Sequence, residues 1–258
     1  MLFLKSNPAK KLGLIDDQKG IIKRYQREKT NWDKHLNHSK QYILDTTYQK
    51  KYKSITILGS GWHLDVPIAQ LAADFEKVYL IDIYHPQQVR YNCRNLQNVS
   101  FLTQDITGGL IECFAKKIKE KSFVLNEVQI PAYSEIPQTD YVVSLNLLSQ
   151  LDILLVDSIK HKCTALEAEY VTLRKKIQLA HLTFLQKFNY SAIFDFKEYV
   201  FDSNHNYESE CDTVFVSPKD VHNQKDWIWK FDSQGYYYEN KIVEFAVKAV
   251  SNFEFSPT

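Results

Sequence analysis

The sequence predicts an α/β fold: a mostly parallel, doubly wound sheet with antiparallel strands added near the C-terminus and a helical cap over residues 1–50. Three observations carry the prediction. Between residues 54 and 105, short β-branched runs alternate with stretches of helical spacing, the pattern of strands buried on both faces by crossover helices. In the C-terminal third, short apolar runs follow one another closely with polar alternation, as antiparallel additions to a sheet edge do. The first fifty residues have helix-like periodicity but too few apolar positions for a core of their own.

Within the cap, Asp16 or Asp17 is placed to cap a helix through Ile21, Ile22, Tyr25 and Glu28. Asn31 is placed to cap a second one, where Trp32, Leu36, Ser39, Tyr42 and Ile43 recur at mostly three- and four-residue steps. Lys50-Lys51-Tyr52-Lys53 reads as a solvated linker into the sheet domain, residues 51–258. There Ser54–Leu58 is a first strand, Val66–Phe75 a helix, Lys77–Ile81 a second strand and Gln87–Asn95 a helix. Val99–Leu102 is a third strand and Leu110–Lys121 a helix. Residues 122–138 are read as a lid, an extra strand or a long loop. Asp140–Leu145 is a fourth strand, and Leu166–Phe188 is the longest helical stretch, with apolar residues at three- and four-residue steps. Ala192–Phe196, Thr213–Val216, Asp226–Phe231 and Glu244–Val250 are expected as later strands.

The bulk properties narrow the function. A chain of 258 residues and 30.3 kDa buries about 70% of its unfolded surface, enough for one substantial core. Lys plus Arg is 32 and Asp plus Glu is 31, a formal charge of +1. That removes the general electrostatic argument for a nucleic-acid partner. Cys93, Cys113, Cys163 and Cys211 form no CxxC, so no zinc knuckle or dithiol pair is expected. The histidines form no HxH or HExxH, so no metal site is expected either. The apolar stretch at the start is too short for a signal peptide, and no run reaches a membrane span. A cytoplasmic protein with reduced thiols is the expectation.

Candidate functional residues gather at strand ends. Gly59-Ser60-Gly61 follows the first strand and precedes a helix. Glycine lets a ligand approach the backbone, and a helix N-terminus offers unpaired N–H groups. Asp65 sits near that helix start as a possible cap, with Pro67 beside it. The spacing is not GxGxxG, because position 64 is Leu. Asp82, followed by Ile83, ends the second strand, 21 residues beyond Gly61, where a carboxylate accepts hydrogen bonds from ribose hydroxyls. Gln104-Asp105 follows the third strand in the same way. Together these imply a nucleoside-containing ligand in the crevice outside the strand ends.

The segment from Ile55 to Asp105 resembles the first half of the class I, S-adenosylmethionine-dependent, Rossmann-like methyltransferase fold. Ile57-Leu58-Gly59-Ser60-Gly61 is similar to the family's glycine-rich first motif, which lies against the methionine part of the cofactor. Asp82 falls where the family holds the cofactor ribose, and Gln104-Asp105 where it reaches the adenine amino group. Asp140–Asn146 resembles the fourth strand, whose end lines the methyl-transfer site, and the last strands resemble the family's closing reversed hairpin. The resemblance covers roughly residues 54–250 in element order and about fifty residues in motif detail. Ile57 stands where many members carry an acidic residue, and Trp62-His63-Leu64-Asp65 replaces a third glycine. Asn146-Leu147-Leu148-Ser149 is not the Asn/Asp-Pro-Pro-Tyr/Phe motif, which weakens a nucleobase or glutamine acceptor.

The resemblance implies S-adenosyl-L-methionine as cofactor, with Gly59, Ser60, Gly61, Asp82, Ile83, Gln104, Asp105 and Asn146 around it. It implies methyl transfer to a small molecule entering between the cap and the ends of the first and fourth strands. Candidate base and orienting groups are His63, Asn146, Ser149 and His35, with Tyr25 and Trp32 from the cap. Each has a packing alternative: His63 over the turn, His35 paired with Trp32, Trp227 and Trp229 in the sheet. A nicotinamide- or other nucleotide-dependent enzyme, and a non-catalytic nucleoside-binding or assembly protein, are the rival readings of the same fold.

Overall fold

The structure, a computed structural model, describes residues 7–48, 50–120, 124–131, 133, 135–160, 165–216, 218–219 and 222–255. Cys163 lies outside them, as do parts of the 122–138 stretch. Cys93, Cys113 and Cys211 are free thiols. Among the described residues no helix is long and apolar enough to cross a membrane.

The cap differs from the expected pair of helices. Helix α1 (Pro8–Lys11) is a single turn begun by Asn7, whose Oδ1 accepts the Ala9 N–H at 3.0 Å. Helix α2 (Leu14–Thr47) runs 34 residues, about 51 Å. Its N-cap is Gly13, and Asp16 and Asp17 lie within its first turn rather than capping it. The break expected at Asn31 falls at Glu28, whose φ of −105° and ψ of 20° leave the helical region. Asn31 does not cap a helix; its Nδ2 donates to the Glu28 carboxylate at 2.9 Å, and Ser233 Oγ donates to the same oxygen at 2.8 Å. The buried Glu28 carboxylate, bonded by half-buried Asn31 and exposed Ser233, thus holds the kink. The C-terminal half of α2 packs Tyr42 and Ile43 on the sheet, and its N-terminal half lies over the strand ends.

Strand β1 (Ser54–Leu58), helix α3 (Ile68–Asp74), β2 (Lys77–Asp82), α4 (Gln87–Asn92), β3 (Val99–Thr103) and α5 (Leu110–Glu120) follow the predicted order. Pro67, not Asp65, occupies the N-cap of α3, with no side-chain cap. A 3-10 turn at Leu125–Glu127 is the regular piece of the 122–138 stretch among its described residues. Then come β4 (Tyr141–Leu145), α6 (Gln150–Lys160) and α7 (Glu167–Leu185). The last strands are β5 (Tyr190–Asp202), β6 (Tyr207–Asp212), β7 (Pro218–Lys219), β8 (His222–Asp232), β9 (Lys241–Ser251) and β10 (Glu254–Phe255).

Thr213–Val216 is not a strand. Its backbone bonds elsewhere: Thr213 N–H donates to Phe196 O at 3.0 Å and Phe215 N–H to Gln178 Oε1 at 2.8 Å. Val216 packs into the core instead.

The main sheet has the order β3-β2-β1-β4-β5-β9-β8, with β6 paired to the extended end of β5 and β7 paired to β10 apart from it. Strands β1 to β5 are parallel; β9 runs antiparallel to both β5 and β8. Strand alternation splits the core. Leu58, Ile81, Val142 and Phe194 face α5, α6 and α7. Ile57, Leu80, Val143 and Ile193 face α2 and α3. The order turns back between β1 and β4, so the crevice for a ligand opens at the ends of these two strands.

Candidate active site

Strand β1 enters its turn at Gly59, which has φ of +82°. A Cβ there would lie 2.5 Å from Leu145 O and 2.8 Å from Leu147 Cγ, so the turn approaches β4 more closely than any side chain permits. Gly61 N–H donates to Asp82 Oδ2 at 2.8 Å, and Tyr84 N–H donates to Oδ1 at 3.2 Å. Asp82 is only 3% exposed, and burial pushes its carboxyl up to about 6 against these two bonds. Asp105 Oδ1 accepts from the Thr107 N–H at 2.8 Å and from its hydroxyl at 2.6 Å, a local turn that fixes the carboxylate at the end of β3.

These strand ends form one wall of a cavity of about 410 Å³, a size suited to a small ligand. Gly59, Ser60, Gly61, Asp82, Ile83, Asp105 and Asn146 all line it. Gln104 does not; its Nε2 donates to Glu135 O at 3.2 Å. The roof is α2, through Leu14, Gln18, Ile21 and Arg24. Trp62 Nε1 donates to Gln18 O at 2.7 Å and ties this roof to the glycine turn. Gln18 Oε1 is buried without a hydrogen-bond partner beside Gly61.

Asn146 ends β4 in the left-handed region, φ +51°, which asparagine tolerates. Its Nδ2 donates to Asp65 Oδ2 at 2.7 Å, leaving Oδ1 buried and unpartnered. Burial pushes Asp65 up to about 6, against the backbone and Asn146 bonds. Ser149 does not line the cavity; its hydroxyl donates to Asp195 Oδ1 at 2.6 Å, and Asp195 does line it.

The two histidines of the sequence reading part company. His63 is outside the cavity: its ring stacks on Phe101 at 5.6 Å, and burial drops its pKa to about 4. Phe101 also carries His85, whose Nε2 lies 3.0 Å from Ser60 Oγ and holds that hydroxyl in place. His35 lines the cavity, but Nδ1 accepts from Trp227 Nε1 at 3.0 Å and the ring stacks on Trp229 at 4.1 Å. Burial holds it neutral, with a pKa of about 3. Tyr25 lies outside the lining and donates to Asp33 Oδ1 at 3.0 Å, whereas Trp32 lines the cavity and donates from Nε1 to Phe231 O at 2.8 Å.

Several lining residues were not singled out as site residues in the sequence: Gln18, Leu64, Asp157, Asp195, Phe231, Tyr237 and Phe245. Asp195 left a readable signal, a carboxylate inside the apolar run Ala192–Phe196. The lining carries six aspartates (Asp17, Asp65, Asp82, Asp105, Asp157 and Asp195) and one guanidinium, Arg24, which pairs with Asp17 at 2.9 Å. Such a cavity favours a positively charged guest.

A parallel β3-β2-β1-β4-β5 half followed by an antiparallel strand inserted between β5 and β8, with the glycine turn and acidic strand ends on one crevice, decides the fold. The strand order is that of a Rossmann-like methyltransferase fold. No family model matches the chain, and no curated protein matches it. Solved methyltransferase structures do. The N-methyltransferase NodS from Bradyrhizobium japonicum, in complex with S-adenosylhomocysteine, is 10% identical over 84% of this chain and 86% of its own, with a TM-score of 0.39. The 1,6-didemethyltoxoflavin-N1-methyltransferase of Burkholderia thailandensis is 10% identical over 98% of this chain and 94% of its own, with a TM-score of 0.43. In class I methyltransferase order, Gly59–Gly61 is the turn after the first strand and Asp82 ends the second.

Proposed function

We propose that the protein is an S-adenosylmethionine-dependent methyltransferase acting on a small molecule. The observation that carries this reading is the meeting of Gly59–Gly61, Asp82 and Asp105 on one wall of a single cavity at the ends of β1, β2 and β3. The residues suit the cofactor. The turn at Gly59 leaves no room for a side chain, and Asp82 keeps lone pairs for ribose hydroxyls after accepting two backbone N–H groups. Ile83 and Ile106 offer apolar flanks beside Asp105 for a flat base. Gln18 Oε1, unpartnered beside Gly61, is an acceptor for an ammonium group.

When bound, the cofactor supplies a methyl group already activated on a sulfonium. The protein's part is to hold it, orient the acceptor in line and keep water out. Asn146, fixed by Asp65, presents Oδ1 to a hydrogen on the acceptor. The roof of α2 covers one side of the cavity. The acidic lining supports a small molecule over a polyphosphate chain.

The test is turnover: labelled S-adenosylmethionine incubated with a small-molecule panel, with formation of S-adenosylhomocysteine followed by mass spectrometry. Acceptor-dependent product supports the reading. Failure of folded protein to bind either sulfur nucleoside, or binding of NAD instead, would overturn it.

A further inference from the structure

The cavity has a second half that the cofactor reading leaves unused. Trp32 and Leu36 from α2, Trp229 and Phe231 from β8, Tyr237, and Phe245 from β9 line it. Their rings form a connected edge-to-face cluster: Trp32 on Trp229 at 4.9 Å, Trp229 on Phe231 at 4.9 Å, Phe231 on Phe245 at 5.0 Å and on Tyr237 at 5.0 Å. Such a wall takes a flat apolar body, and ring faces also attract cations.

Asp195 belongs to this half. It stands two residues beyond Ile193, whose carbonyl accepts the Asn146 backbone N–H at 2.8 Å, so it neighbours the end of β4. The pairing of β5 with β9 slips between Asp195 and Lys197, a bulge of the kind that re-aims side chains beside functional sites. Asp195 is 2% exposed. Oδ1 takes the Ser149 hydroxyl; Oδ2 is buried with no partner at hydrogen-bond geometry, although the Thr213 and Gln150 side chains lie close enough to the carboxylate to favour its charge. An unpartnered buried carboxylate oxygen is costly and calls for a donor. Arg24, the one guanidinium among the lining residues, is engaged with Asp17. Burial, and after it the negative charges of Glu198, Asp195 and Asp157, push the Tyr237 hydroxyl up to about 12.

Resting on the methyl-transfer reading, we propose that the acceptor is a basic amine on a flat apolar body, its nitrogen held by the free oxygen of Asp195 beside Asn146. An alcohol acceptor needs a base able to take a hydroxyl proton. His35 is locked by Trp227 and Trp229, and His63 lies behind the turn. An amine needs less. Its ammonium proton passes to the Asp195 carboxylate, and the freed nitrogen pair forms the N–C bond as the S–C bond breaks. The S–C electron pair stays on sulfur, and the product ammonium carries the remaining charge. Burial raises the Asp195 pKa, which makes its carboxylate a better proton acceptor.

Matched series test this: tryptamine, indole-3-ethanol and indole-3-acetate, then phenethylamine, 2-phenylethanol and phenylacetate. Each is titrated calorimetrically into the full chain, with and without saturating S-adenosylhomocysteine. The proposal expects each amine to bind at least tenfold more tightly than its paired alcohol, and the acids to bind worst. Asp195→Asn, shown folded by its melting curve, should cut the amine preference below threefold. If that variant does not fold, the wild-type preference still decides. Alcohols or acids binding as tightly as the amines, absence of binding by every amine, or full preference in folded Asp195→Asn would overturn the proposal. Absence of S-adenosylhomocysteine binding would count against the cofactor reading alone, because the amines are also titrated without it.

Discussion

Asn146 Nδ2 donates to Asp65 Oδ2 at 2.7 Å, joining the end of β4 to the turn after β1 across 81 residues of chain. The bond fixes which way the Asn146 amide faces. It also keeps a carboxyl enclosed whose pKa is raised to about 6 from an ordinary 3.8.

A raised folded-state pKa has a definite sign. The group's stabilising contribution is full below about pH 4 and is lost as pH rises through about 6. At pH 7 the wild type therefore carries a cost of up to about 3 kcal/mol, less where cavity water solvates the carboxyl. Asp65→Asn keeps an oxygen for Asn146 and cannot ionise. Its stability relative to wild type should increase between pH 4.5 and 7.5, read from urea melts. A constant difference across that range would refute the assignment.

Two glycines should respond in opposite directions. Gly59→Ala forces a Cβ to 2.5 Å from Leu145 O at φ +82°. A loss of about 2–4 kcal/mol is expected. Gly20 lies inside α2, where an added Cβ meets only the far end of Arg24 at 4.0 Å. Gly20→Ala should gain about 0.5–1 kcal/mol. Thermal denaturation of both variants checks the pair.

Asp152 on α6 is fully buried and pairs with Arg174 on α7. Burial pushes the carboxyl up to about 6 even though Arg174 opposes the shift. Arg174→Met strands it, at an expected cost of about 3–5 kcal/mol at pH 7.5. The loss should shrink at pH 5, where the carboxyl takes a proton. Equal losses at both pH values would contradict this.

The α2 roof is tied to the glycine turn by the Trp62 Nε1 bond to Gln18 O. Trp62→Phe removes that donor and keeps a ring. Amide exchange over residues 14–27 should speed up about fivefold, the worth of roughly 1 kcal/mol. Exchange of β1 and β4 should stay unchanged.

The sheet was legible because its strands are short, β-branched and bounded by glycine or aspartate, as in Ser54–Leu58 before Gly59. Helix α6 was missed although Ser149 and Asp152 stand in the [ST]-x-x-[DE] spacing of a helix start, because the fourth strand runs directly into Leu147 and Leu148 with no break before it. Strand β6 was missed because it is exposed throughout and has no apolar alternation. At the site, Gly59, Gly61, Asp82 and Asp105 were readable from their spacing behind strands. Gln18 and Tyr237 were not, since they reach the cavity only through the placement of α2 and the turn between β8 and β9; Asp195 showed as a carboxylate inside an apolar run, but its place at the cavity depends on the β5 bulge. His63 looked promising because it follows the turn, yet its φ of +58° directs the chain so that the ring stacks on Phe101.

The most direct measurement is calorimetric titration of S-adenosylhomocysteine, with NAD as comparison, into wild type and Asp82→Ala, each shown folded by its melting curve. Micromolar binding to wild type, at least tenfold weaker in Asp82→Ala, with NAD silent, is the result expected. No binding by folded wild type, undiminished binding by the variant, or NAD binding in its place would contradict the assignment of this cavity.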